Sequence, residues 1–257
     1  MCFSLKMSTI MFVIGLITTV IAREKINDNV AIWIAYFTIM QAIHIAGYLT
    51  LNNCNNIYNR ITSYANYAHI SFQPLFMLIG FYGLMQFTGN IDNNSIVRMN
   101  YALCMSLLIG IFLFMRIFNI RSWFGSHKTQ IRKSSSCMWC GIPCCFKGKK
   151  HINFSLPLLY PSYFIPSLFI HMFGMFVIPL FINNFTALLT TVFIIITLIP
   201  AYIHKIPNSE AGTIWCFISI FQFIIIILIS LFNKKEVSKD EKGNKLKNYE
   251  NKHLITE

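Results

Sequence analysis

Between Asp92 and Glu210 the chain has no acidic residue, and across residues 152–204 it has no Asp, Glu, Lys or Arg. A run of that length without a fixed charge cannot form an ordinary water-facing surface. It suits a chain that crosses a lipid bilayer repeatedly, because a charged side chain near the midplane costs several kcal/mol. Composition agrees: 55% of residues are apolar and 12% charged, the latter about half the usual share. The expected fold is therefore all-α, a multi-pass transmembrane helical bundle. Its Lys and Arg residues fall in loops and at the C-terminus, so anionic lipid headgroups are the expected partner and nucleic acid is not.

Uncharged runs near the roughly 20 residues needed to span the hydrocarbon core occur at 7–22, 30–51, 68–88, 99–120, 162–182, 185–204 and 211–232. These predict seven transmembrane helices. The fourth holds Arg116 near its end, where a long side chain can snorkel to the headgroups. The long uncharged run must turn at Asn183-Asn184. Its beginning, with Pro157, Pro161 and Pro166, is a poor helix interior, so residues 152–161 read as an interfacial lead-in to the fifth helix, and Pro200 should kink the sixth. The first run also fits a signal peptide, with Lys6 before it and Val20-Ile21-Ala22 ahead of Arg23. Its extension back to Phe3 favours a retained helix. Residues 1–232 thus form the membrane domain, with a Cys-rich basic loop at 121–151, and 233–257 a disordered Lys-rich tail.

Seven crossings put the N-terminus, the Arg60 loop, the large 121–151 loop and the Lys205 loop on one side, called A. Side B holds the loops near Arg23 and Arg98, the Asn183-Asn184 turn and the tail. Lys and Arg divide almost evenly between the sides, so the positive-inside rule nearly ties; the remaining balance assigns side A to the cytosol. The sequons at Asn93 and Asn184 lie on B and the one at Asn153 on A.

Cys137, Cys140, Cys144 and Cys145 fall within the large loop, before the basic run Lys147, Lys149 and Lys150. Three chemistries compete. A zinc site needs four converging thiolate or imidazole ligands, and the adjacent Cys144 and Cys145 fold back poorly, so His127 or His151 would have to help. A disulfide suits an exoplasmic loop. Clustered juxtamembrane cysteines beside aromatic and basic residues suit S-palmitoylation on a cytosolic loop.

Polar residues inside the membrane are the remaining clue, because lipid makes an unsatisfied one costly. Gln41, His44 and Tyr48 share one face of the second helix, and His69 and Gln73 one face of the third, just before Pro74. His171 lies near the middle of the fifth, and Glu210 opens the seventh ahead of Trp215 and Cys216. At about 1.5 Å per residue, His44, His69, Gln73 and Glu210 fall in the half of the bilayer nearer side A, with His171 near the midplane. Four helices then bring polar groups to one half, the pattern of a pocket opening towards A. Each group also has a plain structural role: a membrane His or Gln commonly bonds a neighbouring helix, worth about 1 kcal/mol, and Glu210 suits the dipole of a helix first turn.

The seventh run has no Lys for a retinal Schiff base, and the third lacks an acidic-Arg-Tyr ending. The His-x3-His pair and intramembrane Asp of seven-helix zinc hydrolases are also absent. Met1-Cys2-Phe3-Ser4, Tyr67-Ala68-His69-Ile70-Ser71-Phe72-Gln73-Pro74, Pro161-Ser162-Tyr163-Phe164-Ile165-Pro166-Ser167 with His171, and Glu210 to Ser219 with Trp215-Cys216 span nearly all the chain except the tail. In these pieces the chain resembles a family of uncharacterised seven-helix membrane proteins of protists and large DNA viruses. The resemblance implies a membrane protein of unassigned activity and adds no chemistry.

The expected function is binding of a small ligand or lipid headgroup in the polar pocket. A metal-dependent membrane-embedded enzyme would use His44, His69, His171 and Glu210, but the helices hold no Asp and no compact catalytic motif. A transporter or channel would need polar groups towards both faces, and no internal repeat is visible. No cofactor follows from the residues.

Overall fold

The computed structural model describes residues 4–118, 143–148, 152–156 and 167–203. The expected seventh helix with Glu210, the cysteines Cys137 and Cys140, most of the large loop and the Lys-rich tail lie outside the described residues.

The described chain is mostly helical. Four helices are long and apolar enough to cross a membrane: α1 (Leu5–Lys25), α2 (Asp28–Leu49), α3 (Ile57–Thr88) and α4 (Asn93–Met115). Each starts at a side chain that accepts a hydrogen bond from a first-turn N–H: Ser4, Asn27, Asn56 and Asp92. The α3 helix stops at Gly89, whose left-handed φ of 72° a side chain would strain. After a short antiparallel hairpin, β1 (Cys144–Lys147) and β2 (Ile152–Ser155), comes α5 (Ser167–Met172). It runs on as a π-helical turn (Phe173–Val177) and a 3-10 turn at Pro179 (Ile178–Phe181). The chain then reverses at Asn183 into α6 (Asn184–Ile203), which continues through Pro200.

Small residues let the helices approach closely. A Cβ added to Gly15 of α1 would stand 2.3 Å from the Thr38 hydroxyl of α2, and one on Gly80 of α3 would stand 2.1 Å from the Trp33 ring. Such contacts set helix spacing in membranes, where lipid supplies little hydrophobic drive to pack helix on helix. Several pairings fix the antiparallel register of α2 and α3. Asn27 donates to the Gly83 carbonyl at 2.7 Å, Asn29 to Gln86 at 3.0 Å, and Asn59 to the Thr50 carbonyl at 2.7 Å. On side B, Asn183 donates to the Asn90 carbonyl at 3.2 Å and caps Thr186 of α6 at 2.9 Å.

The side-B half of the interior is mainly apolar, with the small hydroxyl residues Ser95, Thr186 and Thr190 also buried there. Trp33, Phe81 and Phe193 meet with ring centroids 5.8–5.9 Å apart, among Phe37, Met77, Leu78, Met85, Met99 and Met175.

The expected third span, 68–88, is too short. The α3 helix begins at Ile57, because its first half is polar towards the bundle and apolar outside. Asn59, Thr62, Ser63, Asn66 and His69 are buried, while Ile57, Tyr58, Ile61 and Tyr64 are exposed. A hydropathy window averages the two faces and sees neither. Two other expectations are also corrected. Residues 152–155 pair as β2 instead of forming an interfacial lead-in, so the fold carries a small strand element within its helical architecture. Arg116 does not snorkel outwards; it is 7% exposed and its guanidinium lies near the Tyr67 phenol.

Candidate functional site

The inward face of α3 carries Thr62, Asn66, His69 and Gln73 at successive one-turn steps, all buried. Gln41 and His44 of α2 are fully buried. With Tyr36 opposite His69 and Thr50 opposite Asn59, they come alongside the polar stretch from Asn59 to Asn66. On α2 and α3 the buried amide and imidazole side chains thus occupy the side-A half and end at Gln73, above the aromatic and Met packing.

His69 is held from several directions. Its Nε2 lies 2.7 Å from the Tyr36 carbonyl, and the Gln73 amide reaches its Nδ1 at 3.5 Å. The first contact makes Nε2 the protonated nitrogen, which leaves Nδ1 as the acceptor for Gln73. The Tyr36 ring stacks on the imidazole at 4.2 Å, and its hydroxyl donates to the His69 carbonyl. Tyr36 and His69 therefore clasp α2 to α3 in both directions. Sequence reading missed Tyr36; only the pairing of two helices shows that it faces His69.

His171 has a local physical cause. Pro74 lacks the N–H that would bond the Ile70 carbonyl one turn earlier. The His171 imidazole hydrogen-bonds the Ile70 backbone, supplying a donor where the proline removed one. Gly174, one turn along, lies against the same proline: a Cβ there would stand 2.9 Å from Pro74 Cβ. The His171 to Gly174 segment docks on the proline of α3, and this contact accompanies the π-helical turn.

Some buried polar atoms meet no hydrogen-bond partner among the described residues, namely Asn66 Oδ1, Ser106 Oγ and His171 Nε2. Asn66 lies one turn from Ile70 towards side A on the same face of α3. Among the described residues Arg116 is the one buried Lys, Arg, Asp or Glu, so the described interior carries positive and no negative fixed charge. No group of three His, Cys, Asp or Glu able to hold a metal comes together among the described residues.

The hairpin closes the side-A end. His44 stacks on Phe154 with centroids 6.0 Å apart, and a Cβ on Gly47 would meet Ile152 and Cys145. Asn59 donates to the Cys145 carbonyl at 2.9 Å and accepts from its N–H at 2.7 Å. A disulfide joins Cys144 to Cys54 in the α2–α3 loop, so the Cys144 sulfur is no free thiolate ligand. Cys145 is a buried free thiol, pushed up by desolvation away from the reactive thiolate form. Cys54 escaped sequence reading because its partner is 90 residues away; its place on the same side as the cysteine loop was the available signal.

Of the five residues expected to line the pocket, His69 and Gln73 touch each other, His44 lies towards the hairpin, and His171 reaches α3 one residue beyond His69. Glu210 lies outside the described residues. The Asn153 side chain is 3% exposed and bonds the Phe154 N–H, while Thr186 of the Asn184 sequon is fully buried. The Asn153 acceptor is thus buried, whereas Asn184 itself is exposed.

No curated protein and no solved structure matches this chain. A protein-family description does match, over residues 6–238, and its members have no assigned function. The chain belongs to the family of unknown function DUF5765.

Proposed function

We propose that this is a multi-pass integral membrane protein of seven transmembrane helices that binds a small polar ligand or lipid headgroup in the side-A half of its bundle. The observation that carries the reading is the inverted pattern of α3, apolar towards lipid and polar inside. Structural glue alone accounts for His69, whose ring nitrogens both have partners. It does not account for Asn66 Oδ1 and His171 Nε2, buried polar atoms without a partner among the described residues, which are costly in lipid unless something meets them. In this reading a ligand contacts Asn66 and His171, His44 lines the mouth, His69 and Gln73 hold the wall, and Glu210 of the seventh helix completes the site. The basic loop and tail lie against anionic headgroups. The apolar packing around Trp33 and Phe81 argues for a closed-ended site over a continuous path.

The test is native mass spectrometry of the purified protein from lipid nanodiscs, comparing wild type with Asn66→Ala and His171→Ala. Wild type should retain a small molecule or lipid that both variants lose. Equal retention in all three proteins would sink the proposal.

A further inference from the structure

The disulfide bears on which compartment the protein's two faces meet. Cys54 lies between α2 and α3, and Cys144 opens β1; both are at the side-A end. Disulfides persist in secretory lumens and outside cells, and are rare in the reducing cytosol. We infer that side A faces an oxidising compartment and side B, with the Lys-rich tail, the cytosol.

This pairing is built into the fold rather than a chance approach of two sulfurs. The segments on either side are held together by hydrogen bonds that need no sulfur. Asn59 bridges the Thr50 carbonyl and the Cys145 backbone. The Asn52 N–H donates to the Cys145 carbonyl at 3.1 Å, and the Asn52 side chain accepts from the Lys147 N–H at 3.0 Å. Arg60 donates to the Cys54 carbonyl at 2.9 Å, which fixes the loop that carries the first sulfur. The neighbouring thiol cannot compete: Cys145 is fully buried, packed with Ile152 and Phe154. A thiol kept in its protonated form by apolar packing is a poor nucleophile towards the adjacent disulfide.

This reverses the assignment of side A to the cytosol that the charge count supported. Lys and Arg are nearly balanced across the bilayer, so that count carried little weight, whereas a built disulfide discriminates between compartments. A seventh crossing, as proposed above, would place the seven lysines of the tail on side B, in keeping with a cytosolic side B. The polar interior then opens towards the lumen or the exterior. The assignment of side A stands apart from the ligand reading, because it rests on the hairpin and loop alone; placing the tail on side B also rests on the seventh crossing of the proposed function.

The test uses the full chain expressed in eukaryotic cells. A glycosylation acceptor inserted after Ser126 should gain an endoglycosidase-sensitive glycan, and one inserted after Lys247 should not. In cells alkylated before lysis, peptide mapping without reductant should recover Cys54 linked to Cys144. A glycan on the tail acceptor, no glycan on the loop acceptor, or recovery of Cys54 and Cys144 as alkylated thiols would each overturn the inference. None of these readouts depends on ligand binding, so failure here leaves the proposed site standing, and the reverse.

Discussion

The contact between His171 and the proline of α3 yields a double-mutant test. If His171 supplies the donor that Pro74 withholds from the Ile70 carbonyl, its worth depends on the proline. Replacing His171 by Ala leaves that carbonyl without its donor, which costs about 1–3 kcal/mol in a buried site. Interhelical hydrogen bonds in membranes average nearer 0.6 kcal/mol, with a maximum of about 1.7, so the expected loss of the bond is about 1–1.5 kcal/mol. In a Pro74→Ala background residue 74 regains its N–H, and the carbonyl is satisfied within α3. His171→Ala should then cost only its side-chain packing. The loss of the Pro74 contact with Gly174 appears in both arms and cancels. The predicted coupling is about 1 kcal/mol, read by reversible unfolding in mixed micelles. Equal costs of His171→Ala in the two backgrounds would refute the reasoning.

Asn59→Ala removes three hydrogen bonds, two that seat the hairpin and one to the Thr50 carbonyl. It should lower stability by about 2–3 kcal/mol and speed amide exchange in β1, while Asn56→Ala at the exposed α3 cap should cost about 1 kcal/mol and leave β1 unchanged. Gly80→Ala drives a Cβ into the Trp33 ring and should cost about 1–3 kcal/mol with a shift in Trp fluorescence. Gly89→Ala meets open space but a positive φ, so it should cost about 1 kcal/mol with no spectral change. Hydrogen bonds from Ser95 hold the Asp92 carboxyl below its ordinary 3.8. Its capping contribution is therefore fully present above that value and is lost as pH falls through the lower folded value. Asp92→Asn keeps a competent cap and should flatten that part of the acid unfolding profile; an unchanged profile would refute the assignment.

Much of this protein was decided by local chemistry that a sequence displays. The absence of charge over long stretches called for helices suited to a bilayer, because lipid penalises every exposed charge, and four helices long and apolar enough to cross a membrane are present. Ser4, Asn27, Asn56 and Asp92 start their helices, and Asn183 turns the chain, by bonds to residues a turn away or less. The one-turn spacing of His69 and Gln73 marked a polar face, and burial of both follows from it. Other features depended on partners that spacing cannot reveal. The start of α3 at Ile57 required an interior for Asn59, Ser63 and Asn66 to enter, and α2 and the hairpin supply it. Tyr36 opposite His69, His171 at the carbonyl freed by Pro74, and Cys54 bonded to Cys144 join residues 33 to 101 positions apart. Helix register and loop closure select such pairs, and these are properties of the assembled bundle: each residue alone has many possible partners, and only close packing leaves it with one.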